Sequence, residues 1–196
     1  MRLLLLLLAL AGCPAQIPQS TFKDLGDPRD RELVLGVGDV VAINVWGQDN
    51  KELNTEAKIR PDGTITMPLV GDIKALGQTP SVLKEKIKGE LGKFLKLAAG
   101  TEVTVAVKNW NSYRYTVSGE VTKPGIYNSD QYLRVSQVIA QSGGLTRFAT
   151  RRCELFRDDP KTKDTKNYPL DYDDLASGKR PDMDIFVLPG DKIYCP

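Results

Sequence analysis

The stretch from Leu35 to Ile73 constrains the fold more than any other part of this 196-residue chain. Apolar residues occupy alternate positions at its start, which is the period of a strand with one buried face. These residues are Val41, Ile43 and Val45. A turn follows at Pro61-Asp62-Gly63, where proline fixes φ, aspartate bonds nearby backbone and glycine accepts a positive φ. Because Ile59, Ile65, Met67 and Leu69 supply one apolar face around this turn, the stretch predicts a strand followed by a hairpin.

An amphipathic helix is predicted after this stretch. Thr79 is suited to the N-cap and Pro80 to the first helical position. Leucine and isoleucine then recur every four residues on one stripe, and the lysines between them form a solvent-facing side. The stripe comprises Leu83, Ile87, Leu91 and Leu95. Alternating valines from Val103 to Val107 predict the next strand.

A second unit is predicted from residue 112 onward. Pro124-Gly125 suits the centre of a type II turn and predicts a hairpin. A short helix with Val135, Val138 and Ile139 inward should end at Gly143-Gly144. Strands are predicted on either side of a charged loop at 158–166, and Gly190-Asp191 precedes the closing strand, as Gly38-Asp39 precedes the first one.

The N-terminus has the form of a targeting segment. Arg2 precedes an apolar run at 3–10, which is far shorter than the ~20 residues of a membrane-spanning helix. Leu10-Ala11-Gly12-Cys13 resembles the bacterial lipobox, which implies cleavage before Cys13 and acylation of that cysteine. An ordinary secretory leader with a chance cysteine is the alternative. Residues 1–12 are thus predicted as signal peptide and residues 13–32 as a tether.

Composition argues against catalysis and against nucleic-acid binding. The chain has no histidine, so imidazole bases and histidine-containing metal sites are excluded. Its 27 basic and 25 acidic residues give a net charge of +2, too small to steer nucleic acid. The densest acidic group lacks calcium-loop spacing and is interpreted as a solvated loop. It consists of Asp171, Asp173, Asp174, Asp182 and Asp184. No cofactor and no metal is expected.

Both units resemble the Wza-type outer-membrane polysaccharide export family of lipoproteins. In the first unit the resemblance lies in Gly38, Asp39, Trp46, Arg60, Pro61, Asp62 and Gly63, together with Pro68-Leu69-Val70-Gly71. In the second it lies in Gly119, Pro124, Gly125, Gly143, Gly144, Gly190 and Asp191. The resemblance implies an α+β protein. A polysaccharide export domain at 33–111, a mixed sheet with an amphipathic helix, precedes one β-grasp (SLBB) domain at 112–196. Residue by residue, turn and core roles are expected for these positions.

The resemblance also implies a function that is not enzymatic. The chain would be a ring-forming periplasmic component of a capsular or exopolysaccharide export translocon. It would sit at the outer membrane, anchored by lipid and facing the periplasm. The alternative is a monomeric β-grasp lipoprotein that binds a sugar. The molar mass in detergent or lipid distinguishes the two.

Partners follow from the same resemblance. Longer relatives continue into a C-terminal helix that crosses the outer membrane, and this sequence stops at Pro196. A separate outer-membrane β-barrel partner is therefore expected beside the homo-oligomeric ring. An inner-membrane polysaccharide copolymerase and the exported polysaccharide are the other expected partners.

Cys153 and Cys195 remain once Cys13 is acylated. Secretion would place them in an oxidising compartment, where a disulfide between the two predicted strands is favoured. Two buried free thiols are the alternative.

Overall fold

The computed structural model describes residues 17–18, 22, 25–47, 53–97, 100–159 and 162–196. Cys13 and the predicted signal peptide lie outside the described residues. In chain order the elements are β1 (Val40–Trp46), β2 (Thr55–Lys58), β3 (Thr64–Met67), β4 (Gly71–Lys74), α1 (Pro80–Phe94), β5 (Glu102–Asn109), β6 (Arg114–Gly119), β7 (Gly125–Asn128), α2 (Val135–Gln141), β8 (Arg152–Asp158), β9 (Thr165–Asp171), α3 (Tyr172–Ala176) and β10 (Lys192–Cys195). We call the predicted units 33–111 and 112–196 the first and second domains.

The first domain is built on β1. This strand lies between β2 and β5 and pairs antiparallel with both. Its alternate apolar residues are buried, as predicted from their spacing. Helix α1 buries Leu83, Ile87 and Leu91 in the same core, and the Thr79 side chain caps it by accepting from the Val82 amide. The core is therefore the one that the two periodicities predict.

The hairpin of the first domain lies elsewhere than predicted. The Pro61–Gly63 turn forms, and the Gly63 amide donates to the Arg60 carbonyl at 2.8 Å. However, this turn connects β2 to β3, and the two strands do not pair with each other: β2 pairs with β1 and β3 pairs with β4. The hairpin is β3–β4, which turns at 68–70. Leu69 lies at its tip with φ 66° and is 56% exposed, so its predicted place on the apolar face is wrong.

The second domain is a sheet whose core includes residues of both α2 and α3. Among the described residues the strand order of this sheet is β7-β6-β10-β8-β9, and β10 runs parallel to β6. The hairpin β6–β7 and the three inward residues of α2 agree with the sequence prediction. The α+β class and the order of the two domains are confirmed. The parallel strand pair belongs to the second domain, whereas β1 makes only antiparallel pairs.

Part of the predicted tether is packed rather than free. Phe22 is buried in the core of the second domain, and its ring centre is 6.4 Å from that of Tyr168. The Arg180 guanidinium donates to the Ile17 carbonyl at 3.0 Å. Further along, Glu32 accepts from the amide of Ser81 at the start of α1. The described residues Ile17 and Phe22 thus contact the second domain, and Glu32 contacts the first. Burial of the Phe22 ring favours the first of these contacts.

Cys153 and Cys195 are joined by a disulfide between the neighbouring strands β8 and β10. Both residues are buried in the second core. The bond links residues that are 42 positions apart and closes the C-terminal strand onto the sheet.

Replacing both Cys153 and Cys195 by alanine should lower the free energy of unfolding by about 4 kcal/mol, because the unfolded chain then loses a loop constraint. Urea denaturation followed by circular dichroism measures the difference. Thiol titration of denatured, unreduced Cys13→Ala protein should find no reactive thiol. Two reactive thiols would contradict the bond.

Candidate functional site

A buried carboxylate joins the two domains. Asp39 is fully buried at the start of β1 and accepts from the Gly36 amide at 2.8 Å. It also accepts from the Ser112 amide at 2.7 Å and from the Ser112 hydroxyl at 2.9 Å. Gly38 has φ 93°, which lets the chain turn sharply into Asp39. Since Ser112 begins the second domain, Asp39 holds the linker directly against the corner that opens the first domain.

The second domain uses the same corner before its last strand. Asp191 accepts from the amide of Leu188, three residues earlier, as Asp39 accepts from Gly36. Arg157 donates to both carboxylate oxygens of Asp191, at 2.9 and 2.7 Å. Burial raises the pKa of Asp191, and the Arg157 hydrogen bonds oppose this shift. Both Gly-Asp pairs therefore form structural corners, and the Arg157 side chain is held by the second one through Asp191.

The Arg60-Pro61-Asp62-Gly63 signature forms an ion network on the surface. Arg60 pairs with Asp72 at 2.6 Å and with Asp62 at 3.1 Å. The hydrogen bonds that Arg60 donates to Asp72 and then to Asp62 raise the pKa of Arg60, and hydrogen bonds from Thr64 lower the pKa of Asp62. Exposed ion pairs of this kind contribute little to stability, so their main effect is to fix the shape of the hairpin base.

The remaining signature residues serve turns and close contacts. Gly119 has φ 90°, and a Cβ there would lie 2.1 Å from the Cys195 carbonyl oxygen. Gly143 and Gly144 follow α2 with positive φ, and Pro124-Gly125 lies at the β6–β7 hairpin. Trp46 ends β1 and is 63% exposed. None of these residues lines the cleft described next.

A large interdomain cleft is formed by the described residues. It has a volume of about 1870 Å³ and lies between the N-terminal segment, the first domain and the second domain. The structure brings five predicted residues to its wall: Gly38, Arg60, Pro61, Gly190 and Asp191. The other predicted site residues lie elsewhere, or, for Cys13, outside the described residues. The cleft wall therefore includes the glycine of the first Gly-Asp corner, both residues of the second corner, and the first two residues of the Arg-Pro-Asp-Gly signature.

The cleft also contains residues that the sequence analysis missed. Four aromatic rings line it: Phe22, Trp110, Tyr132 and Phe186. Trp110 stacks on Tyr113 with ring centres 4.6 Å apart and meets Tyr132 edge-on at 4.8 Å. The Arg134 guanidinium lies 4.3 Å from the centre of Phe186. No local motif marks these positions. A cluster of aromatic residues after β5 was the signal in the sequence that could have drawn attention to Trp110.

Chemically, the cleft is suited to binding. The acidic residues that the sequence placed in a solvated loop are engaged in structural roles: Asp171 caps α3, Asp173 pairs with Arg151, and Asp184 accepts from Ser136. Within the described ranges there is no group of three or more metal-ligand side chains. In the same part of the chain, no helix has the length and apolar character to cross a membrane.

Comparison with known proteins identifies two domain families. Residues 27–108 match the family described as polysaccharide biosynthesis/export protein, and residues 114–169 match the SLBB domain. The two matches lie on either side of the linker that contains Ser112, the residue bonded to Asp39. The predicted boundaries at 33–111 and 112–196 remain predictions.

Three relatives share this region. The chain is 29% identical over 151 residues to the capsule polysaccharide export outer membrane protein CtrA of Neisseria meningitidis serogroup B, covering 67% of this chain and 37% of CtrA. It is 29% identical over 127 residues to the exopolysaccharide production protein ExoF of Rhizobium meliloti, covering 61% and 30%. It is 24% identical over 133 residues to the EPS I polysaccharide export outer membrane protein EpsA of Ralstonia solanacearum, covering 57% and 34%. The chain thus spans 30 to 37% of the length of these relatives.

Asp39→Ala should lower the free energy of unfolding by about 3 kcal/mol, because three donors at the domain joint lose their acceptor. Asp30→Ala is the matched control. Asp30 is exposed and outside this network, so its loss should change stability by less than about 0.5 kcal/mol. Urea denaturation of both variants measures the two values. Equal effects would contradict the role assigned to Asp39.

Proposed function

The chain belongs to the polysaccharide export family, and from this premise we propose that it is a periplasmic component of a capsular or exopolysaccharide export machine. Several copies would form a ring around the path of the polymer. The proposed role is passage and guidance of a polymer, which needs no catalysis. The observation that carries it is the combination of both family domains, tied by Asp39, around a cleft of about 1870 Å³.

The ring is proposed because of the size of the hydrated polysaccharide that has to pass. One copy encloses no path for a hydrated polymer, so several copies are needed, and repeated head-to-tail contacts close most simply as a cyclic ring. We propose outer-membrane attachment through a lipid on Cys13, with both domains in the periplasm. The relatives CtrA and EpsA are named outer membrane proteins, which supports this location.

The partners of such a ring would lie on both sides of it. We propose an outer-membrane β-barrel protein that receives the polymer, and an inner-membrane polysaccharide copolymerase that delivers it. These proposals rest on the family relationship and on the distance that a polymer must cover across the envelope.

A single-copy sugar-binding lipoprotein is the second candidate. It is favoured by one observation: the interdomain cleft is formed within one copy of the chain. The two candidates differ in the number of copies that act together.

Chemical crosslinking in native membranes should trap the full-length, lipidated protein as multimers. The Cys13→Ala variant should crosslink mainly as a monomer, because it loses the anchor that concentrates copies in two dimensions. Native mass spectrometry of the detergent-extracted protein counts the copies. Recovery of monomer alone from native membranes would contradict the ring and favour the second candidate.

Deletion of the gene should abolish surface polysaccharide in the bacterium that carries it, and the wild-type gene should restore it. Quantification of cell-surface and periplasmic polysaccharide tests the outcome. Normal surface polysaccharide in the deletion strain would contradict the export function.

A further inference from the structure

The interdomain cleft carries more unpaired positive charge than its composition suggests. Six acidic residues among the described ones line it, and all accept hydrogen bonds from the protein: Asp27, Glu32, Asp158, Asp182, Asp184 and Asp191. Four of them are also paired with a cation. Four carboxylates of the cleft are thus already paired with cations, whereas Glu32 and Asp184 accept only from neutral groups.

The cations that line the cleft fall into two groups, those with a partner and those without an ion pair. Arg60 and Arg157 are held by carboxylates, and Arg134 donates to the Asp184 carbonyl. Four further cations line the cleft and are exposed, and they make no ion pair with any residue that the structure describes. These are Arg31, Lys58, Arg114 and Lys179. They come from the N-terminal segment, the first domain and the second domain. The unpaired positive charges are therefore distributed around the cleft and do not lie on one side only.

Two buried donors at the cleft also have no acceptor. The indole Nε1 of Trp110 and the Nε of Arg60 are buried without a hydrogen-bond partner among the described residues. Both residues line the cleft. Buried donors in native proteins are nearly always satisfied, so a water molecule or a group outside the described residues completes these two. Their side chains, rather than these two covered atoms, are what the cleft presents to a ligand.

We propose that the interdomain cleft binds an anionic stretch of polysaccharide, in which sugar residues carry carboxylate or phosphate groups. Arg31, Lys58, Arg114 and Lys179 pair with the acid groups, and Trp110 and Tyr132 offer ring faces and edges against which sugar rings pack. The volume exceeds the ~300–1,000 Å³ of a usual small-molecule site, which favours several linked sugars over a single one. A concave cleft of this kind also suits a flexible chain better than a flat membrane surface. The inference rests on the proposed export function and names the chemical class of its polymer.

The binding test uses the full-length protein in detergent and a fluorescent reporter within the cleft. A Trp46→Phe background leaves Trp110 as the single tryptophan. The probes are tetrasaccharides of galacturonate and of mannuronate, and their methyl esters are the uncharged controls. At least one acid should change Trp110 fluorescence and bind with an affinity that falls as salt rises, whereas the esters should not bind.

Variants locate the binding site. Lys58→Ala/Arg114→Ala should weaken binding of the acid by about tenfold, because two charge contacts are lost. Arg152→Ala/Lys166→Ala removes the same charge from exposed positions outside the cleft and should leave the affinity unchanged. Circular dichroism confirms that all variants are folded.

The opposite results overturn the proposal. Binding of neither acid at millimolar concentration, equal binding of acid and ester, or equal weakening by both double variants would each do so. Phosphatidylglycerol vesicles test a lipid surface: if only they respond to Lys58→Ala/Arg114→Ala, the cleft faces a membrane. Loss of multimers in that variant, without an effect on saccharide binding, would make the cleft an interface between copies.

Failure of this inference is separable from failure of the export function. If the deletion strain lacks surface polysaccharide and Lys58→Ala/Arg114→Ala restores it fully, the export function stands and the cleft site falls. If the deletion strain has normal surface polysaccharide, the export function falls whatever the cleft binds.

Discussion

The structure depends on one buried carboxylate. Asp39 lies in the first domain, but two of its three hydrogen bonds come from Ser112 at the start of the second. A charged group removed from water is stable only when its oxygens are satisfied, so the linker must stay at this place. Packing reinforces the bond, since a Cβ on Gly36 would lie 2.3 Å from the Ser112 side chain. The relative position of the domains, and with it the cleft between them, follows from this contact.

The Gly-Asp corner occurs twice, and in each case a positive-φ glycine turns the chain so that the aspartate bonds an amide three residues earlier. The two corners differ in what completes them. Asp39 is completed by the linker, whereas Asp191 is completed by Arg157 from β8. One corner therefore joins domains, and the other joins strands within a domain. The glycine of each corner, Gly38 or Gly190, lies on the wall of the cleft, so part of that wall is formed by backbone.

The charge of the cleft shows why overall composition is a poor guide to binding. A net charge of +2 argued against the steering of nucleic acid. Yet pairing with Arg29, Arg180 and Lys192 occupies three carboxylates of the cleft, while cations such as Lys58 and Arg114 are left without an ionic partner among the described residues. Local charge depends on which groups pair, and pairing is decided in three dimensions.

The sequence by itself determined the elements and the family. Alternation in β1, the four-residue stripe of α1 and the Thr79-Pro80 start are local patterns set by backbone geometry, so they could be predicted without a structure. The Gly-Asp and Arg-Pro-Asp-Gly motifs indicated the family by their resemblance to known polysaccharide export proteins, which the matches at 27–108 and 114–169 support. Tertiary structure alone decided that the hairpin turns at Leu69, that Phe22 packs into the second domain, and that Arg31, Lys58, Trp110 and Lys179 surround one cleft. These residues are far apart in the chain, and contacts between distant segments depend on packing and desolvation, which leave no periodic trace in the sequence.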